Sequence, residues 1–301
     1  MIGNEKLAVI GLGSMGYGVA ASLLRAGHAV VGVDLNPARA AKFRDAGGMD
    51  GALSDHADSL DAVVCVVLNA AQTKAVLFGP DGVVPRLRAG AVVISCATVA
   101  PDFAKQMEAR CTEAGVLYLD APISGGPVRA ADGTLSVMSA GRPEAYSAAR
   151  PVLDAMAADV FELGAEAGPG SAMKAVNQLL VGVHIAAMAE AMTFGMTQGV
   201  TPEKFLEVIS KSAGTSWALE SRAPHVVAGK YFPHSAVNIW PKDLGIVLDI
   251  AQKAQFGAPV AAAALQQFLA AQGSGLGHED DAAVAKVYAR NAGLTLPGQG
   301  T

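Results

Sequence analysis

The chain has 301 residues, of which 51% are hydrophobic and 16% charged, with a net charge of −5. That length accommodates two domains, each with a core of its own. The acidic balance and the scattered Lys and Arg exclude the basic face of a nucleic-acid binder and the polybasic patch of a membrane-surface protein.

MIGNEK passes directly into KLAVIGLG, an apolar run closed by glycines, which reads as a buried strand with no leader peptide ahead of it. SMGYGVAASLLRAG has helical spacing and a stop at Gly27. HAVVGVDL is a second strand, and NPARAAKFRDAGG a second helix with Pro37 at its start. AVVCVVL, AVVISCA and VLYLDAP follow as strands separated by helical segments, and GTLSVMSAG and DVFELG close the series. Strands alternating with helices predict a mostly parallel, doubly wound α/β sheet. From about Gly168 the pattern is helical throughout, in AMKAVNQLLVGVHIAAMAEAMTFGMTQG, TPEKFLEVISKSAG, KDLGIVLDIAQKAQ, VAAAALQQFLAAQG and DDAAVAKVYARNAG. The expected domains are 1–165 and 166–301, with a long helix leading from one into the other and LTLPGQGT as a frayed tail. The long apolar helices, rich in Ala, Gly and Gln, read as soluble rather than membrane-spanning. Cys65 and Cys96 fall in strand-like runs and Cys111 in a helical one. This odd number of buried positions indicates reduced thiols and a cytoplasmic setting. No residue group has metal-ligand spacing.

Gly11-Leu12-Gly13-Ser14-Met15-Gly16 is a GxGxxG motif that follows a strand and opens a helix. That context points to a dinucleotide cofactor. Gly11 makes the tight turn, Gly13 lets the pyrophosphate approach the backbone, and Gly16 lets the helix pack closely. The free N–H groups and the helix dipole attract the phosphates. Asp34 ends the second strand, where a carboxylate accepts from both ribose hydroxyls of NAD and repels a 2′-phosphate. Leu35 and Asn36 offer no cation, and Arg39 is expected to face solvent, so NAD is expected rather than NADP.

Between Glu166 and Glu190 the chain reads AGPGSAMKAVNQLLVGVHIAAMA, with Lys174 as its only full charge. The bland reading is a lysine whose head snorkels to water. Three stretches argue for another: DAPISGGPVRAADGTLSVMSAG (120–141), GPGSAMKAVNQ (168–178) and WPKDLG (240–245). Together with GLGSMG, and in this order, they closely resemble the 3-hydroxyisobutyrate dehydrogenase family of β-hydroxyacid dehydrogenases.

The resemblance implies a Rossmann domain, a long linking helix and an all-α C-terminal domain that builds the interface of a homodimer or homotetramer. It makes Lys174 the catalytic residue. Oxidising a carbinol requires removal of the hydroxyl proton, and a desolvated amine suits that role. Ser124, Gly125 and Gly126 are the expected grip on the substrate's carboxylate, with exposed N–H groups after a strand. Asn177 and Gln178 share the helical face of Lys174. The family usually carries asparagine where this chain has Gln178. Lys242 is expected beside both the nicotinamide and the substrate, and Thr98 and Asn69 at cofactor-facing strand ends. Ser216, Trp217, His184 and Asn238 are further candidates for contacts to hydroxyls. Polar groups such as Gln178 suggest a polyhydroxylated acid, and the sequence is similar to the L-threonate-oxidising branch. Alternatives are 3-hydroxyisobutyrate, glycerate and 4-hydroxybutyrate. A non-catalytic NAD-binding module would lack the lysine, and a 6-phosphogluconate site would need a cation cluster that is absent here.

Overall fold

The structure, a computed structural model, describes residues 5–298. Five short strands, β1 (Lys6–Ile10), β2 (Ala29–Val33), β3 (Ala62–Cys65), β4 (Val92–Ser95) and β5 (Leu117–Asp120), pair in parallel in the order β2-β1-β3-β4-β5. Their near-continuous Val, Ile and Leu content fits burial on both faces. The helices α1 (Gly16–Arg25), α2 (Pro37–Asp45), α3 (Ala70–Phe78) and α4 (Pro101–Glu113) connect them. One side of the sheet packs Val9, Val64 and Ile94 against Val19, Leu23 and Leu153. The other packs Ala8, Val63 and Val93 against Leu77, Ala104 and Met107.

The expected single sheet is divided in two. After β5 the chain forms β6 (Ile123–Ser124), α5 (Gly126–Asp132), β7 (Leu135–Ser139), α6 (Pro143–Met156) and β8 (Ala157–Glu162). These strands make a second sheet, β6-β7-β8, in which β6 and β7 run antiparallel. An isolated bridge between Asp120 and Ala140 lies between the two sheets. The connection from β6 to β7, residues 125–134 with α5 inside it, is shorter than the dozen or more residues of a usual parallel crossover, which fits the antiparallel pairing.

The rest is helical: α7 (Pro169–Thr197), α8 (Pro202–Ile209), α9 (Trp217–Val227), α10 (Ile239–Lys253), α11 (Pro259–Ala271) and α12 (Ala285–Asn291). The chain forms two compact units, Met1–Lys174 and Ala175–Thr301, so the division falls inside α7. The second unit has its own core, with Trp240 stacked on Phe268. Its buried Asp281 accepts from Arg222 Nε at 2.6 Å and Trp240 Nε1 at 3.0 Å, which explains an acid in an apolar stretch. Leu296 is buried in this core, so the tail is tethered at least that far, and 299–301 lie outside the described residues. Among the described residues α7 alone is long and apolar enough, by length and composition, to cross a membrane.

His28, just ahead of β2, is 3% exposed. Burial pushes its pKa below 6.5, an effect the Pro151 carbonyl opposes without cancelling. The unfolded chain therefore binds more protons than the native one below that value. His28 contributes stability above about pH 6.5, and that contribution is lost as the pH falls toward the depressed native pKa. Urea midpoints measured from neutral to mildly acidic pH are expected to fall, and His28→Leu to flatten the decline. An equal decline in the variant assigns it to other groups.

Candidate active site

One row of partnered residues, Val33, Ile10, Cys65, Ser95 and Asp120, marks the carboxyl edge of the five-stranded sheet. Ligands of open parallel sheets bind along this edge. The GxGxxG loop leaves it directly, since Ile10 is followed by Gly11. Gly11 has φ +96°, and a Cβ there would stand 2.3 Å from Val66 O. A Cβ on Gly16 would stand 1.7 Å from the Gly11 carbonyl oxygen. Both positions exclude any side chain, whereas a Cβ on Gly13 would meet nothing within 4 Å. The backbone is thus bare where a pyrophosphate must approach. Leu12 is buried beneath the loop, Ser14 is exposed and Met15 half-buried. Met15 is the N-cap of α1 and supplies no side-chain cap, and the first turn holds no acid. That leaves a helix N-terminus suited to an anion. These features fit a bound dinucleotide.

Asp34 stands one residue beyond β2. Its Oδ2 accepts from Leu12 N at 2.8 Å and its Oδ1 from Asn36 N at 2.8 Å. The carboxylate is therefore held at the loop in advance of any ligand. Arg39 is exposed, as the sequence suggests, and its Nη1 lies 3.6 Å from Asp34 Oδ2. Pro37 starts α2 and Asn36 caps it, so residue 39 turns back toward the strand end. Thr98 follows β4 at the same edge and is half-buried. Asn69 caps α3, its Oδ1 accepting from Gln72 N at 2.9 Å. That structural duty engages the oxygen, and the sequence reading did not foresee it.

Lys174 lies in the second turn of α7. It is 7% exposed, and its Nζ donates to Ile123 O at 2.9 Å. The amine is buried, so it does not snorkel to bulk water. Ile123 belongs to β6, and the next residues are Ser124, Gly125 and Gly126. Gly125 has φ +133° and Gly126 φ +78°, conformations that open the backbone where α5 begins. The lysine and the expected carboxylate grip are thus neighbours through Ile123.

Asp120, which the sequence reading left out, explains how α7 is held here. Its Oδ2 accepts from Gly168 N at 3.0 Å and Ser171 N at 2.8 Å, and its Oδ1 from Ser171 Oγ at 2.7 Å. Burial raises its pKa, and the bonds from Ser171 and Gly168 oppose that rise. The signal available in the sequence was an acid ending an apolar strand, the same pattern as Asp34.

In the helical unit Gln178 is 8% exposed, and its Nε2 donates to Asp243 Oδ2 at 2.5 Å. Asn177 Nδ2 donates to Gln178 Oε1 at 2.9 Å. Lys242 Nζ lies 2.6 Å from Asp243 Oδ1, a pair that is largely buried rather than exposed. Asn177, Gln178, Lys242 and Asp243 thus form one polar chain. Ser216 caps α9, accepting from Leu219 N at 3.1 Å, and Asn238 Oδ1 accepts from Gln272 Nε2 at 2.9 Å. Trp217 is exposed and His184 half-buried.

Residues 6–164 match the NAD binding domain of 6-phosphogluconate dehydrogenase. Residues 168–288 match the family described as NAD-binding of NADP-dependent 3-hydroxyisobutyrate dehydrogenase. The chain is 50% identical to L-threonate dehydrogenase of Cupriavidus necator, over 98% of this chain and 99% of that one. It is 44% identical to L-threonate dehydrogenase of Escherichia coli K12, with 98% of each covered. Among solved structures, 3-hydroxyisobutyrate dehydrogenase from Salmonella typhimurium superposes with TM-score 0.90 at 42% identity, covering 94% of this chain and 99% of that one. The Mycobacterium tuberculosis 3-hydroxyisobutyrate dehydrogenase with L-serine gives 0.80 at 28% identity, covering 94% and 98%. Matches spanning both halves, together with the GxGxxG loop and a buried lysine, place this chain in the 3-hydroxyisobutyrate dehydrogenase family of NAD-dependent hydroxyacid dehydrogenases.

Proposed function

We propose that this chain oxidises a small polyhydroxylated acid, L-threonate to 2-dehydro-L-erythronate, with NAD as electron acceptor and Lys174 as acid/base. The observation that carries the chemistry is the buried Lys174 amine, fixed against Ile123 O beside Ser124–Gly126. A buried amine is costly, so a fold that keeps one beside the Ser124–Gly126 turn retains it for chemistry. Lys174 takes the proton from the reacting hydroxyl and orients its oxygen. Ser124, Gly125 and Gly126 hold the carboxylate. Asn177, Gln178 and Lys242 supply further contacts, as the family resemblance implies. Gly11 to Gly16, Asp34, Asn69, Thr98 and Lys242 hold the dinucleotide. Bound NAD supplies the acceptor for the hydride that leaves the carbinol carbon.

The choice of L-threonate is supported by the names of the relatives at 44% and 50% identity and by the long polar reach of Gln178. The Salmonella structure, named for 3-hydroxyisobutyrate, favours that acid as the second reading. The three buried, unpaired cysteines support a cytoplasmic enzyme. The exposed Met173, Val176, Leu180 and Phe194 of α7 support a homodimer or homotetramer.

The test is NADH formation across three- to six-carbon hydroxy acids, including both threonate and erythronate isomers. L-Threonate is expected to give the highest kcat/KM, and a higher value for 3-hydroxyisobutyrate overturns the assignment. Gln178→Asn is expected to raise KM for L-threonate roughly five- to tenfold, the worth of one hydrogen bond. KM for 3-hydroxyisobutyrate should stay within about twofold on the same scale.

A further inference from the structure

Ser124 and Gly126 each belong to an element: Ser124 pairs with Ser136 of β7, and Gly126 opens α5. Gly125 lies between them in neither, at φ +133°. A glycine has more backbone freedom than any other residue, and fixing it costs entropy. What closes on it is the side chain one helical turn further along. A Cβ on Gly125 would stand 2.9 Å from Arg129 Cδ and 3.0 Å from Arg129 Cβ, with Leu135 Cδ2 at 3.3 Å. Leu135 is fully buried in the core, so Gly125 is enclosed between a fixed floor and the Arg129 stem. Gly126 is the reverse: a Cβ there would meet nothing within 4 Å. One packed residue is thus followed by a bare one, which suits a backbone that must hold its shape and still admit a ligand.

The head of Arg129 is held as well. Its Nη2 lies 3.5 Å from Oδ2 of Asp159 in β8. Asp159 pairs with Ser136, and Ser136 with Ser124, so the arginine reaches from α5 to the far end of the row that carries Ser124. The ion pair is open to solvent, with side-chain exposures of 39% and 54%. Such pairs contribute little, so the packed stem matters more than the charge.

We infer that Arg129 is a positioning residue for the hydroxy-acid carboxylate: its stem clamps Gly125 and so keeps the Ser124–Gly126 turn in its binding form. The inference rests on the reading of that turn as the carboxylate grip. Without the stem Gly125 samples other conformations, and the ligand must order it on binding. The loss falls on binding of the acid. The chemistry at Lys174 is spared, because Ile123 O, to which the amine donates, belongs to β6 ahead of the turn.

The test is steady-state kinetics of the full chain at saturating NAD. The substrates are the better of L-threonate and 3-hydroxyisobutyrate, and its carboxamide, which keeps the hydroxyls and loses the acid charge. Arg129→Ala is expected to raise KM for the acid about tenfold, the worth of ordering one backbone residue, while kcat falls no more than about twofold. Arg129→Met matches the stem as far as Cδ without the charge, and is expected to keep KM within about twofold of the unmodified chain. Asp159→Asn, which loses only the exposed ion pair, should shift KM by no more than about twofold. KM for the carboxamide should be high in the unmodified chain and change little in Arg129→Ala.

An unchanged KM for the acid in Arg129→Ala would overturn the clamp. So would a KM in Arg129→Met as high as in Arg129→Ala, since the guanidinium would then act by charge. A kcat that falls as far as KM rises would assign Arg129 to the fold at large. Equal use of acid and carboxamide by the unmodified chain would instead refute the carboxylate grip itself, a result that the variants do not enter.

Discussion

Lys174→Ala is expected to lower kcat by roughly 100-fold or more while leaving the dissociation constant for NAD within about twofold. The amine is 7% exposed and bonded to the carbonyl of Ile123, so it serves no solvent-facing purpose. Its removal deletes the group proposed to accept the hydroxyl proton, whereas the loop Gly11–Gly16 leaves the sheet edge after β1. Lys174→Arg should be nearly as slow, because a guanidinium keeps its proton at any working pH. Small primary amines added to the alanine variant should restore part of the turnover by occupying the vacated space. Turnover near normal in Lys174→Ala would refute the acid/base role. A parallel loss of NAD binding would assign the lysine to the cofactor instead.

Asp120→Ala is expected to destabilise the protein by about 3 kcal/mol or more and to slow the reaction about tenfold. The carboxylate receives two backbone N–H groups and a hydroxyl from the start of α7, and its removal orphans all three in a buried place. Each such donor costs about 1–3 kcal/mol when left unpaired. The kinetic effect follows because Ser171 lies three residues before Lys174 on the same helix. Loosening the first turn releases the amine from its place at Ile123. Asp120→Asn should fall between the variant and the unmodified chain, since the amide keeps an acceptor oxygen. Urea unfolding gives the first quantity and kcat the second. A stability loss below about 1 kcal/mol would show that water replaces the carboxylate freely, and would end this account of the anchor.

Much of the nucleotide end was legible because its rules are local. The turn at Gly11 and the close approach at Gly16 depend on the absence of a side chain, which the sequence states directly. Arg39 faces solvent, as its helical spacing predicts, and what the spacing leaves out is the Asn36 cap at the start of α2 and the approach of the guanidinium to within 3.6 Å of Asp34 Oδ2. Asn69 and Ser216 were read as ligand contacts, and each also serves as a helix cap. Both duties use the same oxygen in a strand-to-helix turn, so residue type does not separate them. Helix α9 was passed over because Gly214 and Pro224 flank and interrupt its short apolar pattern. Its N-terminus is supplied by Ser216 and its burial by Leu219, Ala223 and Val226.

Periodicity, glycine placement and a lone charge in an apolar stretch were enough to specify the alternating strands, the phosphate-facing loop and Lys174 as the residue to watch. These follow from backbone sterics and burial, which act over a few residues. The partners of the important polar groups were decided only when the chain folded. Lys174 meets a carbonyl 51 residues away, Ser171 a carboxylate equally distant, and Gln178 an acid 65 residues on. A buried polar group must be satisfied, but which distant atom satisfies it depends on how strands and helices pack, and no local pattern encodes that.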